Sequence, residues 1–232
     1  MQVSDNHIQA KSYLARLHSL DYDELADAMT YKWFRLNVMY HIKDKSGDKV
    51  LFHPNEEQET FYCEQHNRDI ILKARQLGFT TVIQILFLDC CLFRENVRAA
   101  TIAQNEDAAK KIFRDKLKFA YDNLPPSLKD AMPLKTENTS ELIFAHNNSG
   151  IEVATSVRSG TIHYLHVSEF GKICAKYPEK ADEIITGSIP AVPTNGMICI
   201  ESTAEGQDGH FYKITKRAEE LKLSNKKLNP KD

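Results

Sequence analysis

The chain opens with a polar stretch and, after Pro54, becomes a series of short apolar runs separated by amphipathic segments. Residues 6–29 are charged and mildly amphipathic, and "SYLARLHSL" and "YDELADAM" predict two short helices. "WFRLNVMYHI" and "KVLFHP" flank the turn signal "KDKSGD", which predicts a β-hairpin with Ser46, Gly47 and Asp48 at its exposed tip. Beyond Pro54 a polar helix, "NEEQETFYCEQH", leads to the strand "DIILKA", a loop, and an apolar helix through "TVIQILFLDCCLF". The strand "RAATIA", the helix "NEDAAKKIFRDKLKFAYDNL", a hairpin across "SELIFAHNNSGIEVATS" and the strand "IHYLHV" follow. A helix within "PEKADEIITGSI", the strand "GMICIES" and the helix "GHFYKITKRAEELK" complete the pattern.

Apolar β-rich runs alternating with helices predict an α/β fold: a doubly wound, mostly parallel sheet with helices on both faces. The expected organisation is an N-terminal helical and hairpin subregion (1–50), a core (51–215) and a lysine-rich tail (216–232) that reads as a linker toward a further domain. Ligands bind such sheets at the carboxyl ends of the strands, which singles out the loops at 73–81, 168–172 and 202–209.

Composition narrows this picture a little. The 232 residues are 42% hydrophobic, enough for one well-buried core, and the formal charge of -2 gives no global basic field for nucleic acid. Five cysteines at no zinc-like spacing, two of them adjacent, read as reduced thiols of an intracellular protein. No apolar run approaches the roughly 18 residues of a membrane span, and the polar N-terminus lacks a signal segment, so a soluble, cytoplasmic protein is expected. The nine histidines form no ligand cluster. "KKIFRDKLK" reads as a solvated basic face, the other reading being a contact to DNA phosphates.

The chemistry begins at "ILKARQLGFTT", residues 71–81. Against the phosphate-loop pattern G-x-x-x-x-G-K-[ST], Gly78 and Thr80 are in register, Phe79 stands in place of the lysine, and Lys73 takes the place of the first glycine. A strand-loop-helix of this kind presents backbone N–H groups at a helix N-terminus, where phosphate is favoured. Thr80 could ligate Mg²⁺, and the stem of Lys73 is long enough to fold over the phosphates. An ordinary βα turn with solvated Lys73 and Arg75 is the other reading. "HYLHVSEFGK" is an apolar strand ending in Ser168 and Glu169, the layout of a Walker B segment, with Glu169 as the base that polarises water and Ser168 where an aspartate is usual. In "GMICIES" the strand ends at Ser202 and Thr203, which read either as γ-phosphate sensors or as the N-cap of the next helix.

Taken together and in this order, the three motifs resemble those of the large terminase subunits of tailed bacteriophages, the ATPase motors that package DNA. The resemblance runs from about Pro54 to Tyr212. "KARQLGFTT" resembles their deviant Walker A, "YLHVSEFGK" their Walker B, and "ICIESTAEG" followed by "GHFY" their coupling motif. It implies a P-loop ATPase of the class with an additional catalytic glutamate, with ATP and Mg²⁺ as cofactors. Lys73, Arg75, Gln76, Gly78, Thr80, Thr81, Ser202 and Thr203 are then the nucleotide set, Thr80 and Ser168 the metal set, and Glu169 the catalytic base. Gln58 matches the family's adenine-reading glutamine. Arg158 precedes the Walker B strand where some of these motors carry an arginine that reaches a neighbouring subunit, and Arg75 is the rival, acting in cis. Double-stranded DNA, a portal protein, a small terminase subunit and a homo-oligomeric ring are the implied partners, in the bacterial host cytoplasm.

Ser168 and Phe79 depart from the family pattern, and both departures predict weak Mg²⁺ holding and slow turnover. No room remains after residue 215 for the family's nuclease half, so no DNA cleavage is expected of this chain. Two other readings stay open: a helicase-like translocase, whose D-E-x-[HD] signature is absent from "SEFGK", and a non-hydrolysing docking module.

Overall fold

The computed structural model describes residues 2–157 and 160–224. Its N-terminal part contains three helices, α1 (Gln2–Ala15), α2 (Tyr22–Ala28) and α3 (Lys32–Val38), and a small hairpin of β1 (His41–Lys43) and β2 (Lys49–Leu51). The segment "WFRLNVMY" is thus helical up to Val38, against the expected long strand; only His41–Lys43 pair with the returning strand. Packing decides this: in helical geometry Trp33, Phe34 and Leu36 are all buried, and Arg35 reaches inward to Asp89. Tertiary burial overrides the β preference of these aromatic residues.

The main unit begins with α4 (Glu56–Glu64), started by a reciprocal capping box between Asn55 and Gln58. Next come β3 (Arg68–Leu72), α5 (Phe79–Phe93), β4 (Arg98–Ile102), α6 (Glu106–Ile112), a π-helical stretch (Phe113–Lys118), α7 (Phe119–Asp122) and α8 (Pro126–Ala131). Three strands, β5 (Leu134–Glu137), β6 (Glu141–Phe144) and β7 (Gly150–Ala154), lead to β8 (Tyr164–Ser168), α9 (Phe170–Lys176) and α10 (Pro178–Glu183). The last elements are β9 (Met197–Ser202) and α11 (Gly209–Leu223), so helix continues past residue 215 into the expected tail.

Seven strands form one sheet in the order β3-β9-β8-β4-β7-β6-β5. The first five are parallel, and β6 and β5 add antiparallel at one edge. This is the expected doubly wound, mostly parallel α/β sheet. The strand periodicity of two sorts the side chains: Ile198 and Ile200 of β9 join a core with Phe170, Ile173 and Phe211 from α9 and α11, while Cys199 turns to the face covered by α5.

Helix α5 is apolar nearly all round and buried along its length, as a helix with neighbours on every side must be. Its two buried polar residues, Gln84 and Asp89, are both partnered. Asp89 accepts from Arg35 Nε (2.9 Å) and Nη2 (2.7 Å) and from Tyr40 Oη (3.0 Å), tying α3 to α5. Among the described residues no helix is long and apolar enough to cross a membrane.

Candidate nucleotide site

The loop between β3 and α5 is held from both ends. The Lys73 N–H donates to the Ser202 carbonyl (3.0 Å), extending the β3–β9 ladder by one residue and fixing the lysine at the sheet's carboxyl edge. At the other end Gly78 is left-handed (φ 73°) and caps α5; a Cβ there would lie 2.5 Å from Gln58 Nε2, so only glycine fits. Gln58 itself is buried, and its Nε2 donates to the Leu77 carbonyl (3.0 Å) while its Oε1 accepts from the Asn55 N–H (3.2 Å). The amide placed by resemblance at the adenine therefore braces the loop with its nitrogen and closes the cap of α4 with its oxygen. Phe79, in the lysine's usual place, is buried and meets Phe61 edge-on at 5.9 Å. That position belongs to the core, and the cation at the mouth of the loop is Lys73.

The Lys73 side chain is 8% exposed, and its ammonium lies 3.2 Å from Glu169 Oε1 and 2.8 Å from Glu201 Oε2. Burial alone would lower its pKa; Glu201 and then Glu169 outweigh burial and raise it. Glu201 is fully buried, and its Oε1 accepts from Thr80 Oγ1 (2.7 Å) and Ser168 Oγ (2.9 Å). His166 Nε2 stands 3.4 Å from the same oxygen as an electrostatic neighbour, and Gln84 Nε2 reaches His166 Nδ1 (3.0 Å) and Thr101 Oγ1 (2.7 Å). Burial would raise the Glu201 carboxyl, but His166 and Lys73 more than offset it and hold the group well below the ordinary carboxylate range. A buried polar network thus runs from α5 through β4 and β8 to the end of β9.

Glu169 sits at the turn from β8 into α9 with φ 56° and ψ 43°, a left-handed conformation that a non-glycine residue holds only under constraint. Its Oε2 pairs with Lys172 Nζ at 2.6 Å. A further lysine enters from the π-helical stretch: Lys116 Nζ donates to Thr81 Oγ1 at 2.6 Å, and burial lowers its pKa. The sequence places Lys116 on a solvated basic face; the wider π turn, a feature frequent at functional sites, instead directs it to the first turn of α5.

Several candidates stand apart from this cluster. Arg75 is exposed in the loop, and Gln76 takes a left-handed φ of 67° beside it. Ser202 is buried on the sheet face opposite Glu201, where a Cβ on Gly171 would lie 2.8 Å from its Oγ, and Thr203 Oγ1 faces Glu205 at 3.4 Å. Arg158 lies outside the described residues. Glu201, which carries the cluster together with Lys73, escapes sequence reading because "CIES" reads as an apolar strand running into its hydroxyl end. The available signal was its place beside Ser168 once β8 and β9 are paired.

The oxygen set of Thr80, Ser168 and Glu201 suits a hard cation that keeps waters and takes its other ligands from phosphates, as Mg²⁺ does. Among the described residues no three His, Cys, Asp or Glu gather as a protein-only metal cage. A cleft of about 910 Å³ lies at the opposite, N-terminal end of the strands, lined in part by Lys32, Arg35, Cys90, Arg94 and Tyr164. Its size does not make it the site, since open α/β sheets bind ligands at the other end.

No family model matches the sequence, and a search of curated proteins finds no match. Solved structures do match. The large terminase of bacteriophage HK97 superposes with a TM-score of 0.62 at 15% identity over 84% of this chain and 42% of that one. The ATPase domain of the Thermus phage P74-26 large terminase gives 0.53 at 15% identity, and a point mutant of that domain 0.54 at 16%; each covers 70% of this chain and 69% of the other. The chain has the fold of phage large terminase ATPase domains and spans about two fifths of the HK97 protein.

Proposed function

We propose that this chain is the ATP-hydrolysing motor domain of a phage large terminase, the part that drives double-stranded DNA into a procapsid. The observation that carries the reading is the convergence of Lys73, Thr80, Glu169 and Glu201 at the carboxyl ends of three strands. The fold of the terminase ATPase domains supports it.

In this reading Lys73 exchanges its two carboxylates for the phosphates of ATP, and the N–H groups of the 76–81 loop orient them at the N-terminus of α5. Thr80 and Glu201 would hold Mg²⁺, which when bound neutralises phosphate charge. Release of Lys73 leaves Glu169 free to accept a proton from the attacking water, and Lys172 keeps that carboxylate oriented. Lys116 adds a cation beside Thr81, and an arginine, Arg158 from a neighbour in a ring or Arg75 in cis, completes the charge stabilisation. Gln58 fixes the loop, and Ser202 acts from the far face of β9. A portal protein and a small terminase subunit in the host cytoplasm are the expected partners.

Steady-state phosphate release with Mg·ATP, wild type against Glu169→Gln, tests the reading. General bases contribute about 10²- to 10⁴-fold, so turnover should fall by that order while nucleotide affinity stays near normal. Equal rates would move the base elsewhere, and no turnover by either chain, at any protein concentration, would favour a docking module.

A further inference from the structure

Position 168 holds serine where the Walker B pattern puts the aspartate that serves the metal. The sheet register shows where that charge has gone. Ser168 pairs with Glu201 on the adjacent parallel strand, so the two side chains stand side by side on the α5 face. Strand β9 lies between β3 and β8, and Ile71 pairs with Glu201 from the other side, so the carboxylate sits midway between the loop lysine and the Walker B strand end.

We infer that Glu201 is the metal-serving carboxylate of this site, moved one strand over, and that Ser168 is its hydrogen-bond donor. The inference rests on the nucleotide-site reading above. Three contacts carry it: Thr80 Oγ1 at 2.7 Å, Ser168 Oγ at 2.9 Å and Lys73 Nζ at 2.8 Å. Thr80 and Lys73 are the hydroxyl and cation that a phosphate loop presents to metal and phosphates, and the buried carboxylate touches both. Glutamate's extra methylene lets it cover from β9 a place that aspartate would reach from β8. The serine follows from the same geometry, because an aspartate at 168 would stand beside Glu201 in a buried site, where two like charges repel strongly. His166 and Gln84, both fully buried, back the carboxylate from below and keep its position fixed.

The consequence reverses the expectation from sequence. Ser168→Asp alone should weaken the site, whereas Ser168→Asp combined with Glu201→Ser should restore it.

The test measures Mn²⁺, whose free-ion electron paramagnetic resonance signal reports binding without turnover, in the presence of saturating ADP and against a protein-free blank that accounts for Mn²⁺ held by ADP in solution. ADP affinity is measured in parallel in chelator. Glu201→Gln should lose Mn²⁺ affinity by roughly ten- to hundredfold, the scale of losses at groups that support a bound metal, and keep its chelator-state ADP affinity. The Ser168→Asp, Glu201→Ser exchange should regain most of that affinity. A Glu201→Gln chain that binds Mn²⁺ as wild type does overturns the inference while leaving the nucleotide site intact. Should Glu201→Gln not fold, the exchange variant decides alone: near-wild-type Mn²⁺ binding supports the inference, and its loss overturns it. A wild-type chain that binds no ADP would overturn the nucleotide reading, and this inference with it.

Discussion

Lys73 carries a buried positive charge only because two carboxylates meet it, and this is what makes it movable. An ammonium held by Glu169 and Glu201 can be transferred to phosphate without ever being left unpaired, which a lysine at position 79, facing Phe61, could not do. Lys73→Ala should therefore weaken ATP binding far more than Phe79→Ala, whose cost is about 3–5 kcal/mol of stability from lost core packing. A nucleotide titration beside a urea melt separates the two, and equal affinity losses would contradict the moved lysine. Introducing lysine at position 79 should destabilise the chain and fail to rescue Lys73→Ala. That Lys73, Gly78 and Thr80 bracket one strand-loop-helix turn was legible in the sequence because they are local. Glu201 was not, since its partners are 33, 121 and 128 positions away and only strand pairing brings them together.

At the scale of elements, β3 both aims the loop and carries a half-buried acid of its own. Asp69 Oδ1 accepts from the His66 N–H at 3.1 Å, its Oδ2 has no hydrogen-bond partner among the described residues, and burial pushes its carboxyl up to about 7. Its neighbour across the β3–β9 pair, Cys199, is a thiol that burial keeps neutral. In the unfolded chain the same carboxyl titrates near ~4, so between about pH 4 and 7 the folded state holds a proton that the unfolded state has lost. Stability should fall as pH rises through that window and level off above it. Asp69→Asn removes this slope, and its stability relative to wild type should grow by up to about 4 kcal/mol between pH 4 and pH 8. Urea melts across the window check this, and parallel curves would contradict it. The α3 helix shows the limit of pattern reading at this scale. "WFRLNVMY" is rich in strand-forming aromatics, and its helical state buries Trp33, Phe34 and Leu36 and brings Arg35 to Asp89, 54 positions away. Asp89→Ala, leaving Arg35 buried without its partner, should cost about 3–5 kcal/mol in a denaturant melt.

Across the whole molecule, the sheet order governs what meets what. With β9 between β3 and β8, the ends of three parallel strands deliver a lysine, a serine–glutamate pair and a second glutamate to one edge, and α5 brings Thr80. The doubly wound sheet was legible from alternating apolar runs, but the order of its strands was not, because periodicity reports an element's faces and not its neighbours. The same order leaves the large cleft at the opposite edge, beside Lys32, Arg35 and Arg94, as the rival place for an anionic ligand. A crystal structure with Mn²⁺ and a non-hydrolysable ATP analogue chooses between the two edges, with the metal's anomalous signal marking the site. The expected result is phosphate density along residues 73–81, Lys73 turned from Glu169 and Glu201 onto it, and the anomalous peak at Thr80 and Glu201. Analogue bound in the opposite cleft, with Lys73 still paired to both carboxylates, would contradict the account.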